Sequence, residues 1–214
     1  MPDHQESIIS SDEIDILQEI MNIAFGKASA DLAEYIDIFI KLSVPDVRMI
    51  PAAQLPSYFA EMVGERERVS IVEQKFWGKF NGYALLVFTS GAESELISIL
   101  SCEDPDLFRD EPIDDLAKGT LMEIGNIVVG ACVGKIAELL NDVMAYSPPV
   151  VLLERSVADI IPDDMFNSAD SAVILNALFC FENREVNGML VLLFSQASVV
   201  WLKKALSEFM EQYA

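Results

Sequence analysis

From Ser11 onward, apolar residues recur at the three- and four-residue spacing of a helix with one oily face, Ile16, Leu17, Ile20 and Ile23 among them. Ser10 and Glu13 stand three apart just ahead of this run, the capping-box pattern that opens a helix, so a helix is predicted from about Ser11 to about Ile40. The next stretch, "VPDVRMIPAAQLPSYFAEM", carries Pro45, Pro51 and Pro56, which forbid a long regular helix, and it reads as extended. "RVSIVEQKFWGKFNGYALLVFT" then reads as two strands joined around Lys79 to Gly82. Helical spacing returns in "GAESELISILSC". After it comes an acidic linker, "EDPDLFRDEPIDD", whose Pro112 suits the first turn of a following helix.

The same order begins again there. At an offset of 104, Leu17, Glu19, Ile20, Asn22, Ile23, Gly26, Ala33, Glu34, Ser43 and Pro45 fall on identical residues at 121, 123, 124, 126, 127, 130, 137, 138, 147 and 149, ten of the 31 positions from 15 to 45. With two residues of slippage, "FNGYALLVFTSGAESELISIL" lies over "VNGMLVLLFSQASVVWLKKAL". Each unit therefore reads as long helix, extended segment with proline, β-hairpin and short helix. This is an α+β pattern, not alternating parallel βαβ. Strands such as "ALLVF" and "MLVLLF" are apolar on both faces and need cover on each side. The expectation is one fused domain: a tail over 1–10, a first repeat over 11–105 and a second over 106–214. The two repeats would share a single antiparallel sheet with pseudo-two-fold symmetry, packed with a pair of long helices.

In each long helix a carboxylate and a carboxamide interrupt the oil. Glu19 and Asn22, like Glu123 and Asn126, are three residues apart, about 4.5 Å along the axis and about 60° around it, so they project from one face. Asp15 and Gly26 share that stripe, while Ile16, Leu17, Ile20 and Ile23 would form the buried side. A lone Glu-x-x-Asn is ordinarily a solvated helix face. Its repetition weakens that reading, since free drift would have let Asn become a better helix former. Gly26 and Gly130 cost helix stability and point to a close approach of something to the backbone there.

Composition narrows the chemistry. A net charge of -21 argues against a phosphate-backbone binder and for a neutral or basic protein partner. Three cysteines, Cys102, Cys132 and Cys180, without close spacing read as core packing in a reduced, cytoplasmic protein. The N-terminal residues lack the build of a signal peptide, and the contiguous apolar runs fall far short of the ~20 residues of a membrane span. The single His4 cannot assemble a triad, the acidic clusters lack EF-hand order, and there is no P-loop or dinucleotide-binding glycine pattern.

Asp15-x3-Glu19-x2-Asn22-x22-Pro45 resembles the signature of the CheC, CheX and FliY family of chemotaxis phosphatases, Asp or Ser followed by x3-Glu-x2-Asn-x22-Pro. The second copy, Gly119-x3-Glu123-x2-Asn126-x22-Pro149, fits at three of four positions and departs at Gly119. Two copies in one chain resemble the CheC form, whereas FliY-like chains carry a further flagellar-switch domain. The resemblance implies hydrolysis of the aspartyl phosphate of a CheY-like response regulator, with Asn22 and Asn126 orienting water and Glu19 and Glu123 engaging a lysine of the partner. Asp15 would assist, and Pro45 and Pro149 would be structural. No cofactor of its own is implied; Mg²⁺ would come on the regulator. The alternative is a non-catalytic adaptor for a regulator or for the deamidase CheD. A monomer without nucleic-acid or membrane partners is expected.

Overall fold

In the computed structural model of the chain, residues 10–36, 40–43, 46–64, 68–89, 92, 95–97, 113–156, 161, 171–181, 187–194 and 196–213 are described. The elements are α1 (Ser11–Ile36), β1 (Ile40–Leu42), β2 (Asp46–Pro51), a 3-10 turn (Ala52–Gln54) and α2 (Leu55–Val63), followed by β3 (Arg68–Trp77) and β4 (Asn81–Thr89). Then come α3 (Ile113–Leu139), β5 (Ala145–Tyr146), β6 (Val150–Ser156), β7 (Ser171–Phe181), β8 (Asn187–Phe194) and α4 (Gln196–Tyr213). Residues 92 and 95–97, within the helix expected after β4, are helical; Pro112, Cys102 and His4 lie outside the described residues.

The capping box forms as predicted. The Ser10 amide donates to Glu13 Oε2 at 2.8 Å and the Glu13 amide donates to Ser10 Oγ at 3.3 Å. Lys203 of α4 adds an ion pair to Glu13 at 3.2 Å, tying the start of α1 to the C-terminal helix. The far end of the expected helix is different: α1 stops at Ile36, and Ile40 already pairs with Phe181 in the sheet. The stretch read as wholly extended also differs, for it holds α2. Pro56 sits in that helix's first turn, where a missing N–H costs nothing, so proline starts this helix instead of preventing it.

All eight strands form one antiparallel sheet in the order β1-β7-β8-β4-β3-β5, with β2 also on β7 and β6 also on β3. Relabelled by repeat, this order reads the same from either end, as two copies of one unit related by an axis between β4 and β8 would give. Each unit's edge strands pair with the other unit's hairpin, so the halves interlace. The two-sided apolar strands β4 and β8 take the centre. Ala84, Leu86, Phe88, Leu190, Leu192 and Phe194 face the core beneath α1, α3 and α4. Leu85, Val87, Val191 and Leu193 face a second core closed by α2 through Leu55, Tyr58 and Phe59.

The pairing fixes which residues of the two hairpins are equivalent. Val150 pairs with Glu73, and Asp46, 104 residues earlier, pairs with Asn176, so β7 follows β3 at 176 − 73 = 103. Gly82 faces Phe76 and Gly188 faces Phe179, so β8 follows β4 at 188 − 82 = 106. The second hairpin turn is thus three residues longer than the first. Among the described residues one helix, Asp114–Leu139, is long and apolar enough to cross a membrane by length and composition, but 56% of its apolar 18-residue stretch is buried inside the fold. Its oil is spent on the core.

Candidate functional site on the two long helices

On α1 the core side is Leu17, Ile20, Met21, Ala24, Phe25 and Ala28, all buried; Ile16 and Ile23, expected among them, are only partly so. The opposite stripe, Asp15, Glu19, Asn22 and Gly26, is exposed. On α3, which packs against α1, Leu121, Ile124, Val128, Val129, Cys132 and Val133 are buried while Gly119, Met122, Glu123 and Asn126 are exposed. The helical spacing therefore brings each Glu-Asn pair to one outer face, as the residue pattern predicts.

The two carboxamides have different surroundings. Asn22 makes no side-chain hydrogen bond with a described residue. Asn126 Oδ1 accepts from Gln74 Nε2 at 3.1 Å, and the same nitrogen donates to the Ser147 carbonyl at 2.9 Å. A carbonyl can only accept, so Gln74 must turn its NH₂ toward Ser147; its second hydrogen then requires the oxygen of Asn126. The Asn126 oxygen is thus held toward the sheet, on a residue that is exposed as a whole. Gln74 Oε1, itself buried, finds no partner among the described residues.

Two features of the second unit build this contact. Gly125, next to Asn126, lies so close to β3 that a Cβ there would stand 2.5 Å from Val72 Cγ1. Its counterpart in α1 is the fully buried Met21. The glycine lets α3 settle onto β3 where Gln74 sits. The second feature is Gln74 itself, 1% exposed, whose counterpart at the offset of 103 is Ala177, also 1% exposed and inward-facing. Alanine has nothing with which to hold Asn22.

Gly26 and Gly130 are not close-approach positions within the molecule: nothing lies within 4 Å of a Cβ built on either, nor on Gly119, so the approach expected there does not come from this chain. They leave the outer faces bare. Pro149 stands between β5 and β6, partly buried, while Pro45 lies outside the described residues. The serines two residues before these prolines do matching work. The Ser147 amide and Oγ bond the Lys75 carbonyl and amide at 2.9 and 3.0 Å, and the Ser43 amide and Oγ bond those of Leu178 at 2.8 and 2.9 Å. Each ties its own unit to the other half of the sheet's pairing, Ser147 to β3 and Ser43 to β7.

Sequence reading missed Gln74, Gly125 and the two serines. A signal for Gln74 was present, since Val72, Gln74 and Phe76 alternate inward and an amide at such a position needs a partner. Elsewhere, a cleft of about 250 Å³ is lined by Lys79, Asn141, Trp201, Lys204 and Glu208 at the far end of α3. Its cations are met internally, Lys79 Nζ by the Asn141 carbonyl at 2.9 Å and Lys204 by Glu208 at 3.7 Å. Burial pushes the Cys132 thiol up, and Tyr146, half-buried beside it, is pushed up to about 12. Both stay protonated, so neither is a nucleophile. Among the described residues no group of three or more His, Cys, Asp or Glu could hold a metal ion.

Comparison with known proteins bears out the family resemblance. The model of the CheC-like family matches residues 116–153, a segment that contains Gly119, Glu123, Asn126 and Pro149. The chain is 24% identical over 160 residues to the flagellar motor switch phosphatase FliY of Bacillus subtilis (strain 168), covering 73% of this chain and 40% of that protein. It is also 24% identical over 147 residues to the CheY-P phosphatase CheC of the same organism, covering 68% of each. The chain thus spans well under half of that FliY and about two thirds of that CheC. The crystal structure of Thermotoga maritima FliY shares the fold, with a TM-score of 0.71 at 19% identity over 95% of this chain and 100% of that one.

Proposed function

We propose that the chain is a phosphatase that hydrolyses the aspartyl phosphate of a CheY-like response regulator, with Glu19 and Asn22 of α1 as its principal pair. The carrying observation is that stripe: Asp15, Glu19 and Asn22 exposed together on one helix face, beside a bare Gly26. The names of the FliY and CheC relatives support the reading.

An acyl phosphate is already labile, so the protein need supply neither nucleophile nor metal; it must place a water. A carboxamide can accept a hydrogen bond from water and donate one to the phosphoryl group, aligning the water oxygen opposite the leaving carboxylate. The water oxygen bonds to phosphorus, the bond from phosphorus to the aspartyl oxygen breaks, and free carboxylate, inorganic phosphate and a proton result. Glu19 pairs with a cation at the regulator's site and sets the helix in register, and Asp15 aids docking. Glu123 and Asn126 form the second pair. Mg²⁺ belongs to the regulator, and CheD is a further candidate partner.

The test is phosphate release from a Mg²⁺-loaded regulator carrying a radiolabelled aspartyl phosphate. The double variant Asn22→Ala, Asn126→Ala should fall to the regulator's intrinsic rate. An undiminished rate would end this reading, and tight binding without accelerated release by the wild-type chain would favour the adaptor.

A further inference from the structure

We infer that Gln74 is a latch that holds the second site in a form unable to orient water, so that the second site binds a phosphorylated regulator but hydrolyses it poorly until the latch is released. The inference rests on the phosphatase reading above. Orienting water requires a carboxamide oxygen that can turn toward the water, and in Asn126 one of the oxygen's two lone pairs is taken by Gln74 Nε2 at 3.1 Å, which fixes the oxygen toward the sheet. The amide nitrogen of this exposed residue can still donate to a phosphoryl oxygen, so binding survives where water placement does not. Gln74 cannot turn away without stranding the Ser147 carbonyl, to which it donates at 2.9 Å. It is buried, and it stays in place although its own Oε1 has no partner among the described residues.

The first unit supplies the internal control. Ala177 occupies the position of Gln74 there, and Asn22 has no hydrogen bond to a described residue. Gln74→Ala therefore gives the second unit what the first already has. A residue that merely supports the fold would lower activity when removed; a latch raises it.

The experiment uses the full chain carrying Asn22→Ala, so that only the second site reports, and compares phosphate release with and without Gln74→Ala. One net hydrogen bond corresponds to a change of about three- to tenfold, and a rise of that size in kcat, with KM little changed, is expected. Gln74→Met, which keeps the side-chain volume but cannot donate, should give the same rise and serves if the alanine variant fails to fold. An unchanged or reduced rate in a folded variant overturns the latch. Failure of the phosphatase reading looks different: the variant lacking both asparagines would then release phosphate as fast as wild type.

Discussion

The outer faces of α1 and α3 come from the same pattern and have diverged in opposite directions. Along α1 the stripe reads Asp15, Gln18, Glu19, Asn22, Gly26; along α3 it reads Gly119, Met122, Glu123, Asn126, Gly130. The first face kept its charge and its unengaged carboxamide. The second lost a carboxylate, exposed a methionine at 43% and had its asparagine drawn into a partly buried network with Gln74 and Ser147. Identical Glu-x-x-Asn residues thus do not make identical sites, because the strand beneath each helix decides which atoms of the carboxamide are free.

The largest effects should separate the two helix seats. Met21→Ala opens a cavity under α1 and should cost about 2–5 kcal/mol. Gly125→Ala forces a methyl against the stiff Val72 side chain and should cost about 1–3 kcal/mol, partly recovered by Val72→Ala. Denaturant titration measures both, and a neutral Gly125→Ala would mean that α3 is free to shift.

Next comes alkaline stability, where the units differ because Cys132 has Ala28 as its counterpart. Burial raises the thiol's pKa in the folded state. Its contribution is fully present below the unfolded value near 8.5 and is lost as pH rises, by about 2 kcal/mol at pH 10. Tyr146, pushed up to about 12, adds to the decline above its unfolded value near 10. Cys132→Ala should flatten the fall between pH 8 and 10, and an unchanged slope would show that the thiol is not its source.

Under the phosphatase reading, Glu19→Lys should weaken regulator binding roughly tenfold, more than Glu123→Lys, with the difference shrinking at high salt. Smallest is Gly119→Asp. In the Asn22→Ala background it should raise phosphate release about two- to threefold by restoring the missing carboxylate, the worth of one favourable exposed charge contact.

Much of this comparison was legible in the sequence. The capping box, the period of the long helices, the two-sided strands and the repeated pair each declared themselves through local pattern, and local pattern placed the pairs on exposed faces. What stayed hidden depends on register across the sheet. Gln74 meets Asn126 only because β3 and α3 come together from distant parts of the chain, and its equivalence to Ala177 follows from the pairing of β6 with β3 and of β2 with β7. The meaning of the glycines was hidden likewise. Gly26 and Gly130 face open space, while Gly125, which has no glycine partner in the first unit, is the one pressed against the sheet. The short helix α2 was obscured because three prolines read as breakers until Pro56 is placed in a first turn.

The most direct test of the unequal sites is the rate of phosphate release by Asn22→Ala set beside that of Asn126→Ala, on the same phosphorylated regulator and with folding checked. The prediction is a loss of roughly tenfold or more for Asn22→Ala and less than about twofold for Asn126→Ala, as expected when most of the water-orienting contribution sits at one carboxamide. Equal losses, or a greater loss for Asn126→Ala, would contradict it.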